Sequence, residues 1–442
     1  MRNLLGVLLI LFCAALGAEP LVLSLDDAVG RILDQSIDLQ SRSLDTSSAK
    51  YAADRLWAEI FPGISATAGL SYGTPLFSGD GFRANADNLG YSTSVGLSFS
   101  FNAGLPYAMK ILELAYRTQL LSYENARRQL EIQAAKDFFA LITERERLVH
   151  LEQMSELAER QREKSRIAFQ NGLSGELAYL QSRLTAETAR LNLNQARTNY
   201  TTQLGTFLSL LGLNQTDEVV LDGLISINHI VIDADQLIPE YLAKRPDILS
   251  QRQTIERLEY TKSQTLLNAR APSLSLSGQW RGGSSGAGGL SAPFSDTLTG
   301  SLTLSIPLDS WIPGTKKEQG IRSANTELEK ATLTLRNTET NAANQIRSLA
   351  ASLRNSWSTV EISRLRVQIA ERTYELTEQG FQQGAVEYLT LEDTRNSMSE
   401  ARQQLLTNEL AYQNMILDLA AALNIAWKDL MRSGALLRNV SD

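Results

Sequence analysis

Phe381-Gln382-Gln383-Gly384-Ala385-Val386-Glu387-Tyr388-Leu389-Thr390-Leu391-Glu392-Asp393-Thr394-Arg395 decides how this chain is read. A helix-forming pattern runs into it, another runs out, and one glycine marks the reversal. The same order stands earlier as Phe169-Gln170-Asn171-Gly172-Leu173, followed by Glu176, Leu177 and Arg183. The offset is constant, since 384 − 172 = 212 and 395 − 183 = 212. It persists without a gap through Ala189/Ala401, Leu193/Leu405, Tyr200/Tyr412 and Leu211/Leu423. A chain that repeats itself over half its length is read as two copies of one unit.

Outward from the turns, the helices are very long. No Pro or Gly occurs between Pro106 and Gly172, and the run is rich in Ala, Leu, Glu, Gln and Arg. Fully helical, it extends ~100 Å at ~1.5 Å per residue. Such lengths imply a coiled coil or a helical tube. Residues 176–211 predict a shorter helix, as do 25–60, where Ser24 is the expected N-cap with Asp26 and Asp27 in the first turn. Placed in line, the two short helices match the long one. In the second copy the helices are expected over 245–268, 316–379 and 387–430.

Between these helices the period changes to two. Ile64, Ala66, Ala68, Leu70 and Tyr72 alternate with Ser65, Thr67 and Ser71. Tyr91, Val95, Leu97, Phe99 and Phe101 alternate with Ser92, Ser94, Ser98, Ser100 and Asn102. Leu274, Leu276, Gly278 and Trp280 alternate with serines 273, 275 and 277, and Leu298, Leu302, Leu304, Ile306 and Leu308 form a fourth strand. Each pair is joined by a polar, Gly-rich loop (73–90 and 282–297), giving hairpins of about membrane-spanning length. Four strands cannot close a barrel, and an open edge cannot face lipid. The barrel must therefore be shared, and three chains would supply twelve strands around a water-filled bore.

Composition sets the outer limits. The chain has 442 residues, 43% apolar and 21% charged, with a formal charge of −7. That charge argues against a nucleic-acid partner, which requires a basic surface. Residues 1–18 read as a signal peptide, with Arg2 ahead of a short apolar run and small residues before Ala18. The run falls short of the ~20 residues of a spanning helix, which disfavours a membrane anchor. Cys13, the only cysteine, lies inside it, and Phe12 fits a lipidation motif poorly. The mature chain is thus expected to hold no disulfide or thiolate metal site. His150 and His229 stand far apart without other ligands, so no metal is expected. No nucleophile motif, phosphate loop or catalytic carboxylate pair is present; the expectation is a non-enzyme without cofactors.

The expected layout is a signal peptide (1–18), a first repeat (19–213, hairpin 64–102), a connector with short β segments (214–235), a second repeat (236–432, hairpin 273–308) and a C-terminal tail (433–442). The fold class is mainly α with a β-barrel part: antiparallel coiled-coil helices forming a tube and four transmembrane strands per protomer. An internal two-fold repeat and a trimeric 12-stranded barrel complete it.

With these features the chain resembles the TolC-type outer membrane efflux family over nearly all of its mature length. The motifs are Arg245-Pro246-Asp247-Ile248, Pro272-Ser273-Leu274-Ser275, Ile306-Pro307-Leu308, and above all Phe381-x-x-Gly384 with Tyr388-Leu389-Thr390-Leu391-Glu392-Asp393 and Arg395. The resemblance implies a homotrimer in outer membrane lipid with its helical part in the periplasm. It also implies docking onto a periplasmic adaptor and an inner membrane transporter, as the exit duct of a tripartite system. It implies adaptor-contact turns at Gly172, Leu173, Gly384, Ala385 and Val386, and a periplasmic gate at Asp393, Glu392 and Glu387. Asp393 is the leading gate acid; Glu387 lies ~120° from it around a helix. The membrane-interface aromatics would be Phe99, Phe101, Trp280 and Trp311. Two departures matter. Val386 stands where some members carry an Arg that pairs across the closed tip, and Leu308-Asp309-Ser310-Trp311 replaces a Leu-Phe pair with glycines. The plainer readings stay open: Gly172 and Gly384 as ordinary helix caps, the three acids as solvated helix-start residues. An exported structural coiled coil is the rival function, against which the four serine-alternating strands stand.

Overall fold

The structure, a computed structural model, describes residues 21–72, 89–215, 217–225, 227–284 and 293–428. The expected signal peptide (1–18), the expected tail 433–442 and most of both strand-connecting loops lie outside the described residues. In chain order the elements are β1 (Leu21–Ser24), α1 (Leu25–Gln35), α2 (Ile37–Asp54), a 3-10 turn (Leu56–Ile60), β2 (Gly63–Tyr72), β3 (Leu89–Asn102), α3 (Leu105–Gln170) and α4 (Glu176–Leu210). Then follow β4 (Val219–Asp222), α5 (Ala234–Tyr241), α6 (Pro246–Arg270), β5 (Ser273–Ser284), β6 (Ser295–Ser305), α7 (Lys316–Gln382) and α8 (Tyr388–Leu423). The chain is mainly helical with some sheet, and divides into two compact units.

Of the described residues, those within 1–41, 123–246 and 339–442 form the first unit. Its core gathers Phe138 and Ile142 of α3, Phe207 of α4, Ile346 and Leu353 of α7, and Tyr412, Ile416 and Leu417 of α8. β1 and β4 pair in parallel, placing Leu23 opposite Leu221, and both enter this core. Arg145 donates to the carbonyls of Leu221 (2.5 Å) and Gly223 (2.9 Å), satisfying backbone that the short strand leaves open. The Tyr412 hydroxyl accepts from Ile230 N (3.0 Å) and donates to the Asn228 carbonyl (2.9 Å), which ties the connector to α8. Buried Arg245 donates to the Ala422 carbonyl and to Gln345 Oε1, both at 3.0 Å. The Arg245-Pro246 motif thus has a structural use: Pro246 suits the first helical position of α6, and Arg245 fastens the residue before it.

Of the described residues, those within 42–122 and 247–338 form the second unit. It holds a four-stranded antiparallel sheet in the order β2-β3-β5-β6. The registers Val95↔Trp280, Leu97↔Gly278, Phe99↔Leu276 and Leu276↔Leu302 carry the apolar set of each strand onto one face. Thr67↔Ser94, Ser98↔Ser277 and Ser277↔Ser301 carry the hydroxyl set onto the other. Hydroxyls meet directly across two strand pairs, Thr67–Ser94 and Ser277–Ser301, each at 2.7 Å.

Several boundaries differ from the sequence reading. The helix expected over 25–60 is interrupted at Ser36, whose hydroxyl accepts from Leu39 N (3.3 Å) and restarts the helix as α2, and it closes in a 3-10 turn. Ser24 does cap α1, accepting from Asp27 N (3.3 Å). In the connector only Val219–Asp222 is a strand among the described residues, and it pairs with β1, a strand outside the expected set. The last helix stops at Leu423 rather than 430. Asn424 turns left-handed (φ 57°), and Ile425 N reaches back to the Ala420 carbonyl. Asn enters that region more readily than most residues, and here its side-chain amide donates to the Lys244 carbonyl (2.8 Å) while its Oδ1 accepts from Arg128. The fourth strand ends at Ser305, before Ile306-Pro307-Leu308, as the missing proline N–H requires.

Candidate functional site: the helix turns and the two-faced sheet

Two turns in the first unit share one backbone design. Gly172 N bonds Phe169 O and Leu173 N bonds Ala168 O; Gly384 N bonds Phe381 O and Ala385 N bonds Gly380 O. Both glycines are left-handed, φ 69° and 75°, and close their long helices with the same paired bonds. Beyond them Leu173 is 80% exposed, and Leu177, Leu180 and Leu184 follow it as exposed residues along α4. Ala385 is exposed. Val386 is half-buried and lies over Gly380, where an added Cβ would come within 2.8 Å of a Val386 methyl. Phe381 meets Tyr388 edge-on at 6.2 Å, whereas Phe169 stacks flat on Tyr179 at 5.9 Å. A groove of about 390 Å³ lies between the turns, lined by Ala168 and Ser174 from one and Phe381, Val386 and Tyr388 from the other.

The three expected gate acids have different surroundings. Glu387 caps α8 by position and is exposed. Glu392 is drawn into a hidden pair with Arg395, their side chains 14% and 9% exposed, and accepts from the Tyr388 hydroxyl at 3.2 Å. Burial, with Glu392 beside it, pushes the Tyr388 phenol up to about 12. Glu392 is thus held in a local network, while Asp393 is exposed in a groove of about 420 Å³ with Leu184, Thr188 and Asn192 of α4. The i,i+3 spacing of Glu392 and Arg395 was available in the sequence as a pairing signal. Sequence reasoning gave no role to His150, which is 6% exposed and 3.0 Å from the Ser399 hydroxyl. Burial first, and the Arg402 cation second, hold its imidazole below the ordinary value.

The expected membrane-interface aromatics fall at the sheet and just past it. Phe99 and Phe101 lie 5.0 Å apart on the apolar face of β3. The Trp280 indole donates to Asp296 at 3.1 Å, and the Arg270 guanidinium sits 4.8 Å from the Trp311 ring. Leu70, Leu274, Leu276, Leu298, Leu302 and Leu304 remain exposed, so a continuous apolar sheet face is left uncovered by the described residues. No described helix is long and apolar enough to cross a membrane.

Long helices reversed at two matched turns, together with a four-stranded sheet that has one apolar and one hydroxyl face, define the class of fold. Three solved structures share it: the CusC channel (18% identity, 91% of this chain and 92% of that one, TM-score 0.72), the Campylobacter jejuni CmeC outer membrane channel (19%, 93% and 89%, 0.72) and the open-state Neisseria gonorrhoeae MtrE outer membrane channel (15%, 91% and 89%, 0.70). Comparison with curated proteins gives no significant match. The family described as outer membrane efflux protein matches residues 28–213 and 237–424, and the chain belongs to it.

Proposed function

We propose that this chain forms a trimeric outer membrane channel, the exit duct of a tripartite efflux or secretion system. The sheet carries the reading. β2 (10 residues) and β6 (11 residues) are its two edges, and half the backbone groups of each point outward unpaired. In hydrocarbon each such group costs several kcal/mol, so an edge left open costs tens of kcal/mol. Pairing β6 of one copy with β2 of the next removes both edges. β2 runs away from its helix end and β6 returns toward it, so that junction is antiparallel like every other pairing in the sheet. The exposed apolar face then meets lipid, and the hydroxyl face lines the bore.

Two copies of one unit (19–213 and 236–432) around the connector 214–235 account for the paired helix lengths, 66 and 67 residues for α3 and α7, and 35 and 36 for α4 and α8. They also account for the matched turns and the two family-matched stretches. In this reading residues 1–18 direct export and the helical part lies in the periplasm. Gly172, Leu173, Gly384, Ala385 and Val386 meet a periplasmic adaptor, and an inner membrane transporter feeds the duct. Asp393 bears the gate charge, Glu387 contributes less, and Glu392 acts within its pair with Arg395. Phe99, Phe101, Trp280 and Trp311 mark the lipid interfaces. The test is purification in detergent followed by planar-bilayer recording. Heat-modifiable trimers that conduct are expected; monomers without conductance would refute the proposal.

A further inference from the structure

The hydroxyl face of the sheet carries a single charge. By register, its positions are Ser65, Thr67 and Ser71 on β2, and Ser92, Ser94, Ser98, Ser100 and Asn102 on β3. On β5 they are Ser273, Ser275, Ser277, Gln279 and Arg281, and on β6 Ser295, Thr297, Thr299, Ser301, Thr303 and Ser305; glycines fill the rest. Arg281 lies opposite Ser94 on one side and Thr297 on the other. It is exposed, and no ion pair joins it to another described residue. Asp296, the nearest acid in the register, stands on the apolar face opposite Gly282, where it receives the Trp280 indole. The arginine is therefore not neutralised across the strands. It sits one residue from Trp280, at the end of β5 away from the helices, so the level of an interfacial tryptophan on one face is the level of a lone cation on the other.

From this placement we infer that Arg281 forms an anion-binding ring at the outer mouth of the bore, selective for polyanionic solutes. The inference rests on the proposed shared barrel. Twelve strands spaced ~4.8 Å apart and tilted ~40° give a backbone radius of roughly 12 Å. The Debye length at physiological ionic strength is ~8 Å. An inward-pointing arginine covers more than the difference, so the bore axis lies within the unscreened field of three guanidiniums. Walls of hydroxyls and glycines add no competing charge, and rings of Arg select anions in pores. Guanidinium also offers a planar donor fork to phosphate, sulfate or carboxylate oxygens. One solute class follows: molecules with several anionic groups, held by more than one arginine at once.

The probe is inositol hexakisphosphate, added in planar bilayers to the side bearing the strand loops. In 0.15 M KCl the native channel should show voltage-dependent block. Arg281→Gln should weaken it at least tenfold, and Arg281→Lys should retain much of it. Raising KCl to 1 M should relieve it, as the Debye length shrinks to ~3 Å. Equal block in native and Arg281→Gln channels, or no block of the native channel at 0.15 M, would overturn the inference. A separate arm tests the bore itself. Ser301→Cys should lose current to a charged, water-soluble thiosulfonate, and Leu302→Cys should not. Failure of that arm removes the bore; success with unaltered block in Arg281→Gln removes only the arginine site.

Discussion

Exchanging neighbouring residues of β6 between its two faces gives the sharpest test of the sheet's orientation. Leu302 is 69% exposed on the apolar face and lies opposite Leu276; Ser301, one residue earlier, faces Ser277 with its hydroxyl 2.7 Å away. Leu302→Arg would put a guanidinium toward lipid near the middle of the apolar band, at ~2–4 kcal/mol per copy or roughly 6–12 kcal/mol per three-chain barrel. Ser301→Arg would forfeit one hydroxyl contact, about 0.5–1.5 kcal/mol per copy, and turn its charge to water. The difference is large enough to decide membrane insertion. The assay is the yield of heat-modifiable oligomer in outer membranes, followed by urea unfolding in liposomes. Leu302→Arg should nearly abolish the oligomer and Ser301→Arg should leave most of it. Equal losses, or the reverse order, would refute the assignment of faces.

Other outcomes are expected at the helical end. Gly384→Val keeps open space for its side chain but forces a β-branched residue to φ 75°, a strain of about 1–2 kcal/mol. Membrane oligomers should persist while efflux in a complemented strain falls; normal efflux would end the case for the turn as a docking surface. Asp393→Asn should lower cation preference in bilayer reversal potentials more than Glu387→Gln does, because like charges gathered at a constriction attract cations. No change with Asp393→Asn would leave it a solvated helix-start acid. His150 predicts a pH effect. Ser399 and Arg402 of α8 face it, and Glu371 of α7 holds Arg402 at 2.6 Å. Its folded pKa is lowered, so the unfolded chain takes up a proton first as pH drops through ~6.5. Stability should then fall by at most ~1.4 kcal/mol per pH unit down to the folded value and level off below it. Melting temperatures from pH 8 to 5 should slope less in His150→Gln; identical slopes would count against a buried neutral imidazole.

The elements that the sequence revealed are those written in local periods. Alternation over Ile64 to Tyr72 and over Ser273 to Trp280 needs no tertiary context, and the absence of Pro and Gly between Pro106 and Gly172 fixes a long helix. The offset of 212 located both turns, because a left-handed glycine after a long helix has few other uses. What escaped was set by distant partners. β1 is a strand only because Val219–Asp222 lies beside it. Ser36 interrupts a helix that its composition would allow. Val386, noted as a departure from an arginine, settles over Gly380 as an apolar contact, which no pattern announces. The contact of Glu392 with the Tyr388 hydroxyl and the burial of its pair with Arg395 depend on packing that spacing alone does not give. Arg281 is isolated by the registers of three strands, which no local pattern carries.

The proposed barrel closes where β6 of one chain pairs with β2 of the next. Paired cysteines test it directly, with Gly69→Cys on β2 combined in turn with cysteines along β6 from residue 297 to 303, in a chain whose only natural cysteine is Cys13. Oxidation in the membrane should give, for one register and its near neighbours, a ladder ending in a covalently closed trimer. Chains that stay monomeric at every pairing, or cross-linked series that run on past three, would contradict a closed three-chain barrel.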